Sequence, residues 1–274
     1  SWRRAVSWCG GWEATGIGGW VAAPGRLRRR EPIVVEREYE VTLLSDVAVT
    51  SNAATTGGHR GLDYLPGSLF LGAAVARCLE NHPFDPSFFL SGRVRFLDAL
   101  PVQDGQRTVP LPLSYHKRKE GAWEGAVPCT DPAAETRKGE QWKQWREGFL
   151  TPSGVVLKEV PRSTRMKTAV DRNKRRSEEG KLFSCESLSR GMVLRMRVQA
   201  EAPADLERVH AWFHGQELAL GRSRSAEYGF VRVQAVGDRI PPVPKPLEDP
   251  RRVVLVLASD LALLRDGMPV LLPR

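Results

Sequence analysis

From Glu38 the chain alternates. Tyr39, Val41, Leu43, Ser45, Val47 and Val49 fall on one side and Glu40, Thr42, Leu44, Asp46 and Ala48 on the other, the period of two that predicts a half-buried strand. A Gly/Thr/Asn-rich loop follows from Thr50 to Gly61. Pro66 and Ser68 then open an Ala/Leu-rich helix that runs to about Glu80 and is stopped by Asn81 and Pro83. Gly92 to Leu100 predicts a second strand, ended by Pro101. Strand patterning returns at Leu194, Met196, Val198 and Ala200, which alternate with Arg195, Arg197 and Gln199. Pro203 marks the first turn of a second helix, with Asp205 and Glu207 placed to meet its N-terminal dipole. Leu206, Val209 and Phe213 form its buried stripe. A last strand spans Tyr228 to Ala235.

Strand, helix, strand, insertion, strand, helix, strand is the order of a split βαβ unit. The expected fold class is therefore α+β and ferredoxin-like (RRM-like), an antiparallel sheet with helices on one face. The insertion, about 102–160, is rich in Pro, Gly and charge, and reads as an excursion rather than core. Residues 1–33 hold four of the eight tryptophans and an arginine cluster (Arg26, Arg28, Arg29, Arg30) without either periodicity. They read as a disordered or non-native tail, and the early arginines are followed by no apolar region of a signal peptide. The expected domain spans 34–240, and 241–250 is a proline-rich linker. Leu255 to Leu263 echoes Val41 to Val49, Leu, Ser, Asp and Ala coinciding. Residues 251–274 are therefore expected to begin a truncated second copy of the domain, two generic amphipathic strands being the alternative.

Charge changes the picture next. Net charge is +9, and 32 of the 41 basic residues are arginine, an excess that favours polyanionic partners. No run of about 18 apolar residues is present to span a bilayer. The four cysteines, Cys9, Cys78, Cys129 and Cys185, form no CxxC pair, which argues against a zinc site or a disulfide framework and fits a reducing cytoplasm. No metal or other cofactor is expected.

Candidate chemistry gathers in three blocks. Asp63-Tyr64-Leu65-Pro66-Gly67-Ser68 sets a rigid turn at the mouth of the first helix, with Gly67 and Ser68 as anion contacts. Gly221-Arg222-Ser223-Arg224-Ser225-Ala226-Glu227-Tyr228-Gly229 interleaves small residues with arginines. There glycine permits close backbone approach to a phosphate, and guanidinium supplies planar, permanently charged donors. Glu227 stands where a basic or small residue would suit an anion better. Between them, Arg162 to Arg176 carries seven positive charges and one negative. It would form a basic hairpin offering Arg165, Lys167, Arg172, Lys174, Arg175 and Arg176 to phosphates. Tyr64, Tyr228 and Phe230 are candidates for base stacking, although Phe230 reads first as core.

These blocks resemble the RAMP superfamily of CRISPR-associated proteins. The carriers are "YLPGS", "GRSRSAEYG" and "TRMKTAVDRNKRRSEEGKLFSCESLSRG", together with "VRFLDALPV" at Val94 to Val102. The likeness runs from about Val35 to Arg265. It is nearest to the subunit of type III-D effector complexes that holds the repeat-derived 5′ end of the CRISPR RNA. The resemblance implies a non-catalytic RNA-binding subunit, with CRISPR RNA and the other RAMP-family and large subunits of a type III complex as partners, and no membrane. Some RAMP relatives cleave RNA with a histidine or aspartate near the first helix, and His59 and Asp63 occupy that neighbourhood. An endoribonuclease is thus the alternative, with Arg60 as the cation for developing charge. A scaffold that meets only other subunits, through Trp123, Trp142, Trp145 and Trp212, is a third reading.

Overall fold

The computed structural model describes residues 12–15, 19–22, 35–50, 61–112, 115–118, 127–128, 142–157, 159–171, 176–222, 227–239, 263–265 and 268–270. The elements that position the site are β1 (Val35–Leu43), α1 (Gly67–Asn81), α2 (Pro86–Phe89), β2 (Val94–Phe96), β3 (Leu100–Gln103) and β4 (Gln106–Arg107). They continue with β5 (Arg162–Asp171), β6 (Arg176–Leu188), β7 (Val193–Ala200), α3 (Pro203–Phe213), β8 (Gln216–Ala219) and β9 (Phe230–Arg239).

One antiparallel sheet runs β8-β9-β1-β7-β3-β4, with β2 also paired to β7. Of the four strands read from the sequence, the fourth lies beside the first, the first beside the third, and the third beside the second. Val231 faces Leu43 across β9–β1, and Met196 faces Tyr39 across β7–β1. The fold is α+β, mostly antiparallel sheet with few helices.

The alternation read from the sequence splits this sheet into two unlike faces. Tyr39, Val41, Leu43, Leu194, Met196, Val198, Val231 and Val233 are buried on one side. They pack with Phe70, Ala74 and Cys78 of α1 and Leu206, Val209 and Phe213 of α3. The Phe213 ring meets Tyr39, Phe70 and Phe96 edge-on or tilted, with centroids 6.1, 6.4 and 6.0 Å away, so one side chain ties both helices to the sheet. Arg37 braces the same side by bonding Glu207 of α3 and Asp238 of β9.

The opposite face is an ion-pair lattice. Glu38 accepts from Arg197 at 2.9 Å and from Arg195 and Arg239 at 3.3 Å, and Glu36 accepts from Gln199 at 2.9 Å. Burial penalises the charge of Glu38, but Arg197, Arg195 and Arg239 outweigh it and hold its carboxyl below the ordinary 4.5. Arg107 lies beneath, donating to the Arg195 and Asp98 carbonyls at 3.1 Å. Burial, and Arg197 beside it, bring its pKa down to about 10.

Several elements depart from the sequence reading. β1 stops at Leu43 rather than Val49, because the Leu44 and Ser45 N–H groups both turn to the Phe230 carbonyl and Val47 pairs with Leu188. The second strand breaks at 97–99, where Asp98 leaves the ladder to accept the Gly67 N–H at 2.8 Å. β8 was not anticipated. The insertion is partly core: it holds short strands at Val109–Pro110, Phe149–Leu150 and Val156–Leu157, and Phe149 and Val160 join the main apolar cluster. Trp145 is buried there, Trp212 packs partly buried against the core, and Trp123 and the Trp142 side chain lie outside the described residues. Within 1–33, Trp12–Thr15 pairs antiparallel with Gly19–Ala22, where no regular structure was expected. Leu263–Arg265 pairs with Met268–Val270. The linker 241–250 and the echo strand up to residue 262 lie outside the described residues.

Glu38→Gln is expected to lower stability by about 2 kcal/mol at pH 7, since three arginines lose a charged partner. Because the folded carboxyl titrates below 4.5, its contribution is present above the unfolded value and disappears as pH falls through the folded one. Urea unfolding of both forms from pH 7 downward should therefore show the difference shrinking in acid. A difference independent of pH would remove the ionised carboxylate from the explanation.

Candidate nucleic-acid interface

The basic block folds as the hairpin expected of it. β5 and β6 pair antiparallel, with Arg165 opposite Cys185 and Met166 opposite Ser184, and the register shifts between Thr168 and Val170. They form their own two-stranded sheet. The hairpin is fixed at its base, where Val47 and Leu188 exchange both backbone hydrogen bonds at 2.9 Å and the Ser189 N–H donates to the Pro161 carbonyl. Arg165 is exposed near this base. The Lys167 and Arg176 backbones lie on the strands; their side chains, and Arg172, Lys174 and Arg175 entirely, lie outside the described residues.

Arg162 locks the base. Its guanidinium donates to Asp63 Oδ1 through Nε at 3.0 Å and also through Nη2, to Glu186 Oε2 at 2.7 Å, and to the Gly61 carbonyl at 3.2 Å. Glu186 in turn accepts the Gly61 N–H at 3.0 Å. Asp63 therefore has a structural partner: it ties the approach to α1 to the hairpin. His59 and Arg60 lie outside the described residues.

The glycine-arginine loop arrives from the other side. The Leu220 N–H donates to the Gly229 carbonyl, the Arg222 N–H to Ala48 and the Gly229 N–H to Asp46, at 2.8–2.9 Å. Both glycines are required here by neighbouring backbone. At Gly221 (φ +81°) a Cβ would sit 2.6 Å from the Ala48 oxygen, and at Gly229 (φ +94°) 2.2 Å from the Leu220 oxygen. This corrects the expectation that glycine serves phosphate approach: the amides of Arg222 and Gly229 are already committed to protein carbonyls. Gly67 is similar, since its N–H is held by Asp98 and a Cβ there would meet the Phe96 oxygen at 2.0 Å. Ser68 beside it is exposed. Ser223, Arg224 and Ser225 lie outside the described residues.

Loop and hairpin meet at Arg165. Its Nη1 is 2.9 Å from Glu227 Oε2 and its Nη2 is 3.6 Å from Asp46 Oδ2. Its guanidinium lies 5.4 Å from the Tyr228 ring centroid. The Tyr228 ring is only 1 % exposed, so it supports Arg165 from beneath and offers no stacking surface. Phe230 reverses its expectation in the other direction, being 42 % exposed. Tyr64 packs partly buried against the core.

Sequence reading missed Asp46 and Arg190. Asp46 is the hub: besides Arg165, its Oδ1 accepts the Arg190 N–H at 2.9 Å and its carbonyl accepts Gly229. Period-two patterning absorbed it as one more polar strand position. Arg165, Arg190 and Arg222 thus come from three segments to the short stretch Asp46–Ala48. Among the described residues, the Arg190 and Arg222 side chains have no carboxylate partner, and no group of three or more His, Cys, Asp or Glu is placed to hold a metal. Among the described residues, no helix is long and apolar enough to cross a membrane.

No protein family matches the chain's sequence, and no curated protein does. Among solved structures, it is similar to a chain in the cryo-EM structure of type III-B Cmr-beta in the apo state. That match has 11% identity and a TM-score of 0.43, over 73% of this chain and 97% of that one. A chain of type III-B Cmr-beta bound to cognate target RNA matches at 11% identity and a TM-score of 0.42, over 73% and 97% of the two chains. Oligomeric Cmr4 from Pyrococcus furiosus matches at 12% identity and a TM-score of 0.35, over 74% and 98%. Likeness at this level carries no residue role to this chain.

Gly229→Ala should cost about 2–4 kcal/mol, because it combines a left-handed backbone with a clash against the Leu220 carbonyl. Arg222→Ala, an exposed side chain with no carboxylate partner among the described residues, should stay within about 0.5 kcal/mol of wild type. Urea unfolding distinguishes them; equal, small effects would show that Gly229 is not required by its neighbours.

Proposed function

We propose that this chain is a CRISPR RNA-binding subunit of a type III antiviral effector complex, III-D-like, on a ferredoxin-like RAMP fold, and that it holds the repeat-derived 5′ handle. The observation that carries RNA binding is the convergence of Arg165, Arg190 and Arg222 from three segments on Asp46–Ala48. The Arg165 guanidinium and the backbone N–H groups of Arg190 and Arg222 make these contacts, and three arginine side chains rooted at one seam can meet successive phosphates of one strand. The basic block adds Lys167, Arg172, Lys174, Arg175 and Arg176 in sequence as further candidate phosphate contacts. The strand order supports the ferredoxin-like reading; the complex and the handle rest on the resemblance of the three sequence blocks. Partners are the CRISPR RNA and the other subunits of such a complex, in the cytoplasm, and Cys78 and Cys185 as free thiols fit that compartment.

In this reading the subunit does not cut RNA. Asp63 is engaged by Arg162, and a carboxylate bridging two structural elements is explained without chemistry. A catalytic role for His59 or Asp63 is the competing reading.

The test pairs binding with cleavage. Arg165→Ala combined with Arg222→Ala should weaken single-stranded RNA binding by about 1–3 kcal/mol. The salt slope should flatten by about 0.7 per lost phosphate contact. Unchanged affinity and slope in a filter-binding titration would move the site elsewhere. Labelled guide precursor and complementary target RNA should remain intact with wild type, with and without divalent metal. A product that disappears in His59→Ala or Asp63→Ala, at unchanged RNA affinity and thermal stability, would establish the nuclease.

A further inference from the structure

One exposed carboxylate lies against the cationic edge. Glu227 sits in the loop between β8 and β9, 59 % exposed at its side chain, with Oε2 2.9 Å from Arg165 Nη1. The other carboxylate at Arg165 is unlike it. Asp46 is only 14 % exposed and 3.6 Å away; it is held in place by the Arg190 N–H, and its own carbonyl holds Gly229. Arg165 is thus bracketed by a part-buried anion held by the Arg190 N–H, an aromatic ring at 5.4 Å, and an exposed anion.

Resting on the RNA-binding reading, we infer that Glu227 is a built-in competitor for the RNA phosphate at Arg165. In the free protein Glu227 occupies the Nη1 edge of the guanidinium and tethers the glycine-arginine loop to the hairpin. A phosphate needs the same donors and is repelled by the carboxylate that holds them. An exposed carboxylate–guanidinium pair is weak, whereas charge-assisted phosphate bonds are among the stronger polar contacts, so exchange favours RNA. The loop's neck does not need to move, because Arg222 and Gly229 remain bonded to Ala48 and Asp46; only the Glu227 side chain swings away. Asp46 stays and keeps the guanidinium aimed at the incoming strand. The competitor discriminates against weak or isolated anions, which cannot displace it, in favour of a strand that delivers several phosphates at once.

Glu227→Gln keeps the shape and removes the charge. Fluorescence anisotropy of the full chain with a labelled single-stranded RNA should show binding about three- to tenfold tighter for this variant. Glu227→Ala should tighten it likewise, and thermal melting checks that each variant is folded. Arg165→Gln should weaken binding, and adding Glu227→Gln to it should then change nothing, because the competition acts through that guanidinium. An unchanged affinity in Glu227→Gln, or the same gain with and without Arg165, overturns the competitor while leaving RNA binding in place. Absence of salt-dependent RNA binding by the wild-type chain overturns both.

Discussion

Everything at the candidate interface depends on how the chain leaves β1. After Leu43 the backbone cannot stay in the sheet, because its next polar groups are claimed from three directions. Phe230 takes two amides, Leu188 pairs with Val47, and the glycine-arginine loop pins Asp46 and Ala48. Such close backbone approach excludes side chains at the contact, so glycine is needed at 221 and 229. The stretch 44–49 is a seam that joins hairpin, loop and sheet edge. It sets where Arg165, Arg190 and Arg222 stand relative to one another more firmly than any ion pair among them.

The two faces of the sheet explain why the proposed ligand chemistry is assigned to this seam. One face is filled by helices around Phe213. The other is not a bare platform: Glu36, Glu38 and Glu40 on β1 neutralise Arg195 and Arg197 on β7, and Arg239 on β9 adds a third cation to Glu38. The Glu38 side chain is only 7 % exposed, and leaving such a group without partners is costly. A ligand that competed for those arginines would strip charge partners from the sheet itself. Arginines at the seam are different: among the described residues Arg190 and Arg222 have no carboxylate partner, and the Glu227 carboxylate at Arg165 is exposed.

Much of the architecture was legible because it rests on periodicity. Leu206, Val209 and Phe213 were readable as the buried stripe of α3, and the alternation in β1 and β7 placed the core side of the sheet. The failures share a cause. β1 was over-extended to Val49 because Val47 and Val49 are buried through contacts outside the sheet, and burial looks alike in a one-dimensional pattern. Asp46 was invisible as a hub, since its value lies in partners more than a hundred residues away. Tyr228 and Phe230 exchanged their expected places because Tyr228 lies before β9, which begins at Phe230, and Gly229 between them has a positive φ, so the period of two does not carry across from one to the other. The role of glycine was misread for a related reason: sequence shows that the backbone can come close to something, not what it comes close to.

Charge shows the same limit. An excess of arginine reads as affinity for polyanions, yet Arg37, Arg93, Arg162, Arg195, Arg197 and Arg239 are all paired with carboxylates inside the fold. Those guanidinium groups serve as planar, multidentate ties between elements, a role lysine fills poorly. Arg162 alone connects Asp63, Glu186 and the Gly61 carbonyl. Net charge therefore overstates what is available to a ligand, and the relevant quantity is the set of cations whose partners are missing or exchangeable. With the amides of Arg222 and Gly229 consumed by the seam, the proposed anion binding there would fall to side chains. A guanidinium can reach past the seam and still be charged at any pH the protein meets, so arginine suits both tasks: tying the seam together and, where no carboxylate intervenes, facing a phosphate.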